Sequence, residues 1–262
     1  DDAGEQGERD GRLTILPRHR VGELTVADGT VTGARGDILA TSGAERGVTS
    51  SREVIGEFQI SATATIVCSG GIGGNHDLVR AAWPERLGTA PDHMLTGVPA
   101  YVDGSMHRVS EVAGARLING DRMWHYVEGI SNWDPVWPSH GIRILPGPSS
   151  LWLDATGKRL PVPLFPGFDT LGTLEHLRTT GHDHSWFVTS RQIVEKEFAL
   201  SGSEQNPDLT GKNVGLLLKS RLAKGPTGPV QSFLDEGEDF IVENDLDSLL
   251  EQMQKHPGGE LL

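Results

Sequence analysis

Cysteine is almost absent. Cys68 stands alone among 262 residues, which excludes an internal disulfide framework and suits a reducing compartment, so a cytoplasmic location is expected. Long apolar runs are missing too. No stretch approaches the roughly 20 residues that cross a bilayer, and no membrane span is expected. The first residues, Asp1 to Gly11, are acidic and lack the apolar segment of a secretory leader. Positive charge is in short supply: 23 Lys and Arg stand against 36 Asp and Glu, a formal net charge of -13. That balance argues against nucleic acid or an anionic membrane as partner. A G-x-G-x-x-G turn opening a βαβ unit is also lacking. Glycine and proline, by contrast, are plentiful at 34 and 15 residues. They point to a loop-rich fold with much irregular backbone.

The chain is organised around Thr65-Ile66-Val67-Cys68-Ser69-Gly70-Gly71-Ile72-Gly73-Gly74-Asn75-His76. The short β-branched run at 64–68 reads as a buried strand, and four glycines follow before Asn75 opens an amphipathic helix. Two readings fit this pattern. The glycines bring a large anionic ligand close to unpaired amides, or they let the helix pack tightly on its strand.

Alternating apolar residues predict strands at Leu13–Leu16, Glu23–Val26, Val31–Ala34 and Glu57–Ala62, with Asp28-Gly29 as a hairpin turn. Residues 36–53 read as an excursion from this antiparallel meander, and Asp1–Gly11 as a frayed end. Helices are expected at 75–82, 105–113, 170–178, 190–198, 212–220 and 246–255, with Lys224–Pro229 as a linker-like break. Between them, 119–168 is rich in Trp, Pro and Gly, with short strands at Gly141–Leu145 and Ser150–Asp154. Long irregular segments of this kind are usually functional.

Three stretches then carry a resemblance: Val21-Gly22-Glu23-Leu24, Asp28-Gly29-Thr30-Val31-Thr32-Gly33 and Ser69-Gly70-Gly71-Ile72-Gly73-Gly74-Asn75. In this order they resemble the flavoprotein family of fumarate reductase, succinate dehydrogenase and 3-ketosteroid dehydrogenase, and within it the FAD-binding dehydrogenases. Asp103-Gly104 with its following helix, the Asp154–Arg159 hairpin and Glu243–Leu249 are similar to later family motifs. The resemblance covers almost all of residues 13–255. It implies an α+β chain: the antiparallel meander and central strand of a partial FAD-binding domain (13–96, after a disordered 1–12), followed by a mixed α/β substrate, or cap, domain (97–262). It also implies an internal fragment, lacking the first glycine fingerprint and the closing FAD segment. Alone, such a fragment is expected to bind FAD weakly or not at all, and its unpaired sheet edge to favour self-association.

The implied function is part of an FAD-dependent oxidoreductase, moving hydride between flavin and an apolar ketone- or alkene-type small molecule. Val21, Ser69, Gly70 and Gly71, with the turn through Ile72 and Gly73, are the implied cofactor-binding residues. One departure narrows the substrate. Family fumarate reductases carry a Thr-Arg-Asp acid where this chain reads Pro163–Thr170 without arginine, so fumarate reduction is not expected. The alternative reading is a non-catalytic module that binds a small molecule or a protein through the Trp- and Pro-rich middle.

The resemblance also implies the catalytic candidates His125, Tyr126 and Arg143, since Met123–Tyr126 and Gly141–Arg143 fall where family members bring a His-containing motif and a Gly-x-Arg stretch to the substrate. An imidazole or phenol beside a flavin moves the proton that accompanies hydride, and a guanidinium polarises a carbonyl or holds a carboxylate. Each has a plainer reading: aromatic packing for His125 and Tyr126, preferred for Trp124, and an ion pair for Arg143. His182-Asp183-His184 has metal-ligand types but no further ligand set, so no metal is expected. Cys68 reads as a buried small hydrophobe.

Overall fold

The computed structural model describes residues 2–202, 205–222 and 224–262. The chain divides into two compact units: residues 1–71 with 102–118, and residues 72–101 with 119–262.

The first unit is built on an antiparallel meander. Strands β1 (His19–Ala27), β2 (Thr30–Leu39) and β3 (Val54–Ser61) lie in that order. Asp28 and Gly29 both adopt positive φ, 49° and 74°, the requirement of the tight hairpin that Asp-Gly announces. The strands run longer than the alternation predicts, because β2 continues through Leu39 before the loop at 40–53. Arg18 holds that loop, donating to the Ala40 carbonyl at 2.8 Å, to Ser50 Oγ at 2.9 Å and to the Ser51 carbonyl. Helix α3 (Ser105–Val112) packs on β1. The end expected to fray forms a short helix, α1 (Asp2–Arg9), supported by Glu5–Arg9 and Gln6–Asp10 contacts one turn apart. Leu13–Leu16, expected as a strand, is irregular.

The central strand at 64–68 requires a correction. No residue of that run is in a strand, and all are exposed, Ile66 at 87%. An all-apolar strand is stable only when neighbours pair its edges and cover its faces, and no described strand pairs with it. Cys68 is therefore exposed, not buried.

The second unit carries the larger core. Strands β4 (Gly129–Ser131), β5 (Gly141–Leu145) and β8 (Ala199–Leu200) form an antiparallel sheet with β5 in the middle, and β6 (Leu151–Asp154) pairs with β7 (Ser185–Val188). Ile142 and Ile144 of β5 enter a cluster with Val194, Leu200, Val230 and Phe233. Phe233 and Val230 belong to α8 (Gly228–Glu236), a helix over part of the expected linker. The unit also contains α2 (His76–Ala81), α4 (Thr170–Thr179), α5 (Arg191–Glu197), α6 (Pro207–Thr210), α7 (Val214–Leu222) and α9 (Leu246–Lys255). Trp152, Leu160 and Leu177 form a second cluster under β6. Among the described residues no helix is long and apolar enough to cross a membrane.

Candidate functional site

Strand alternation places the charged member of β5. Successive side chains of a strand point to opposite faces, so Ile142 and Ile144 turn into the core while Arg143 stands on the other side. Its cross-strand partner is Gly129, which has no side chain to crowd the guanidinium. Arg143 Nε lies 3.4 Å from Glu128 Oε2, and that carboxylate is 1% exposed. The guanidinium carbon sits 4.1 Å from the centre of the Tyr126 ring, a cation–π arrangement. Trp124 approaches the same phenol with ring centres 6.2 Å apart. Trp124, Tyr126 and Glu128 all come from the irregular stretch that leads into β4 and together build this corner.

Among the described residues the terminal amino groups of Arg143 and the Tyr126 hydroxyl have no hydrogen-bond partner. Both preferred plain readings meet the structure at this corner. Arg143 does form an ion pair, whereas Trp124, at 82% exposed, is not packed in this chain.

His125 points elsewhere. Its ring lies 4.9 Å from that of Trp83, and its Nε2 is buried with no hydrogen bond among the described residues. Burial, helped by the nearby charge of Arg86, lowers its pKa from the usual histidine value and holds the imidazole neutral. The structure therefore brings Tyr126 and Arg143 together and sets His125 apart from them.

A buried polar clasp ties α2 to β5 within the same unit. The Thr96 carbonyl accepts from Gly141 N at 3.0 Å and from Trp137 Nε1 at 2.8 Å. Thr96 Oγ1 meets His76 Nε2, beside the start of α2, at 2.6 Å. Burial also lowers the pKa of His76, with Arg80 adding to it. Beneath Trp137, stacked at 3.6 Å, His140 Nδ1 takes the Val136 amide at 3.0 Å and Asn132 Nδ2 at 3.1 Å. Sequence reading passed over Thr96, Asn132 and His140. Only their setting among Trp, Pro and Gly marked them.

The cofactor candidates fall in both units. In the first, Ser69, Gly70 and Gly71 are exposed, and among the described residues their amides donate to nothing. A Cβ added at Gly71 would meet open space, and Gly70 holds a φ of +87°. A run of free donors with bare backbone fits a polyanionic cofactor. Val21 lies at a bulge of β1, an edge strand whose outer backbone groups have no strand partner. In the second unit, Ile72 is half-buried, and Gly73 lies so near Val98 that a Cβ would sit 3.0 Å from it. The α2 terminus that follows is partly spoken for, since Asn75 itself caps Leu78 N at 3.1 Å.

His182 and His184 have ring centres 6.4 Å apart, and His184 Nε2 is engaged with the Gly258 carbonyl at 3.0 Å. No group of three His, Cys, Asp or Glu side chains placed to hold a metal occurs among the described residues.

Residues 3–258 match the family described as FAD binding domain. A KsdD-like steroid dehydrogenase of Mycobacterium tuberculosis is 60% identical over 240 residues, 92% of this chain and 42% of that protein. One of Mycolicibacterium smegmatis is 60% identical over 246 residues, 94% of this chain and 45% of that protein. The chain thus spans less than half the length of these curated relatives.

Proposed function

The chain belongs to the FAD binding domain family, and from that premise we propose that it is the part of an FAD-dependent dehydrogenase that anchors an apolar, carbonyl-bearing substrate. The steroid named in its relatives is the first candidate. The observation that carries this reading is the pairing of Arg143 with Tyr126 at 4.1 Å, with both polar tips free among the described residues.

FAD, when bound, supplies the hydride acceptor or donor. In the first unit Ser69, Gly70, Gly71 and Val21 would offer backbone groups to it. Arg143 donates from its terminal amino groups to the substrate carbonyl oxygen, drawing electron density from the carbon framework. Tyr126 Oη gives or takes the proton that accompanies hydride. His125, neutral and lodged on Trp83, shapes the wall instead of moving a proton. Exposed Trp124 offers a flat apolar face of the kind a fused-ring substrate covers.

The test is anaerobic mixing of the FAD-loaded enzyme with steroid ketones while the flavin absorbance is followed. Bleaching is expected with the native enzyme. Arg143→Leu is expected to lower kcat/KM by about 100-fold, on the scale of a lost charge-assisted hydrogen bond. A native enzyme whose flavin no steroid ketone bleaches would end the substrate assignment. Tight one-to-one FAD binding by the 262 residues alone would overturn the expectation that this stretch needs more chain to hold the cofactor.

A further inference from the structure

We infer that Glu128 is a positioning residue, a buried carboxylate that fixes the roll of the Arg143 guanidinium so that its two terminal amino groups meet the substrate oxygen. The inference rests on the reading of Arg143 as substrate anchor and adds a residue which that reading does not contain.

Three contacts define the guanidinium. Its root is set by β5, opposite Gly129. Its central carbon lies over the Tyr126 ring, 4.1 Å from the centre. Its inner edge, Nε, faces Glu128 Oε2 at 3.4 Å. With root, central carbon and inner edge placed, the terminal amino groups remain for a ligand. A planar fork presented this way suits a carbonyl or carboxylate oxygen and leaves little freedom to lose on binding. The main chain contributes as well, because the Glu128 carbonyl accepts Ile144 N at 2.9 Å. The carboxylate therefore departs from the position beside β5 where Arg143 needs it.

The alternative is that Glu128 serves stability alone, and the geometry argues against it. A buried carboxylate is costly unless several donors satisfy its oxygens. Glu128 has one, at 3.4 Å, and among the described residues its carboxylate makes no other hydrogen bond. A site selected for stability would satisfy that group better or replace it with an apolar side chain. Retaining a poorly satisfied charge here makes sense if the orientation of the guanidinium is what it secures.

The experiment compares native protein with Glu128→Gln and Glu128→Asp in two measurements. In the first, the 262-residue chain is treated with phenylglyoxal, and modification of Arg143 is followed by peptide mass spectrometry. Neither flavin nor substrate is needed. In the second, the FAD-loaded enzyme is assayed with progesterone as the steroid ketone. Glu128→Gln is expected to speed Arg143 modification about fivefold as the guanidinium swings free, and to lower kcat/KM about tenfold, since a misaligned guanidinium both holds and polarises the carbonyl less well. Glu128→Asp, which keeps the charge, is expected to recover most of both. The thermal midpoint of Glu128→Gln should not fall. Unchanged Arg143 reactivity, or an activity loss that only tracks a falling midpoint, overturns the inference. If native enzyme ignores steroid ketones while Glu128→Gln still frees Arg143, the substrate reading fails and the positioning stands.

Discussion

Two histidines set the acid limit of the second unit. Both His76 and His125 are held neutral by burial, so their folded pKa values lie below that of the unfolded chain. Below the unfolded value, the unfolded state binds more protons, and stability is lost as pH falls from about 6.5 toward the lowered folded values. The thermal midpoint is therefore expected to be flat above pH 7 and to drop as pH falls below about 6.5. His125→Phe, which keeps a ring against Trp83, should remove part of that drop, and differential scanning calorimetry across the range checks it. A midpoint insensitive to pH over that interval would contradict the assignment. Single residues were only partly legible in the sequence. Arg143 stood out through the resemblance, because Gly141-Ile142-Arg143 falls where family members bring a Gly-x-Arg stretch to the substrate cleft. Glu128 did not, because nothing in Val127-Glu128-Gly129 says that the carboxylate is buried. That depends on β5 lying alongside, a non-local fact. His125 and Tyr126 read as equals, yet their side chains separate, His125 to Trp83 and Tyr126 to Arg143.

At the scale of elements, α8 holds the second unit together. Phe233 is fully buried and Val230 nearly so, and both meet β5 and β8 residues in one cluster. Phe233→Ala is expected to cost about 3–5 kcal/mol, the usual range for an aromatic lost from a packed core, with chemical denaturation as the measurement. A loss under 1 kcal/mol would mean that the cluster is not the stabilising core. This helix escaped sequence reading for a specific reason. Gly228-Pro229 resembles linker chemistry, yet proline is at home in a first helical turn, and Val230, Phe233 and Leu234 carry helical spacing. The stretch at 64–68 misled in the opposite direction. Its β-branched residues have strand propensity, but propensity cannot supply a pairing partner. Where local chemistry decides the outcome, as at the Asp28-Gly29 turn or along Gly141–Leu145, reading and structure agree.

At the scale of the whole molecule, β3 is an edge of the meander that no other described strand pairs. Strand β3 shows Val54, Ile55 and Ile60 at 49%, 62% and 42%, and edge strands with apolar residues invite pairing with another chain. Self-association of the 262 residues is expected to rise with concentration, and Ile55→Lys to suppress it, since a charge on an edge opposes such pairing. Sedimentation velocity over a concentration series checks both. A native chain that stays monomeric throughout would remove the edge as a contact.

The division of the chain has a consequence for its synthesis. The first unit takes residues 1–71 and then 102–118, with 72–101 given to the second. On the ribosome the meander emerges before α3, which packs on β1 and arrives only after a segment that belongs elsewhere has been made. The first unit must therefore wait with one side of β1 uncovered while its neighbour's opening residues pass. Neither unit can be cut out as one continuous stretch of gene. Any attempt to express them apart has to splice the message, not merely shorten it.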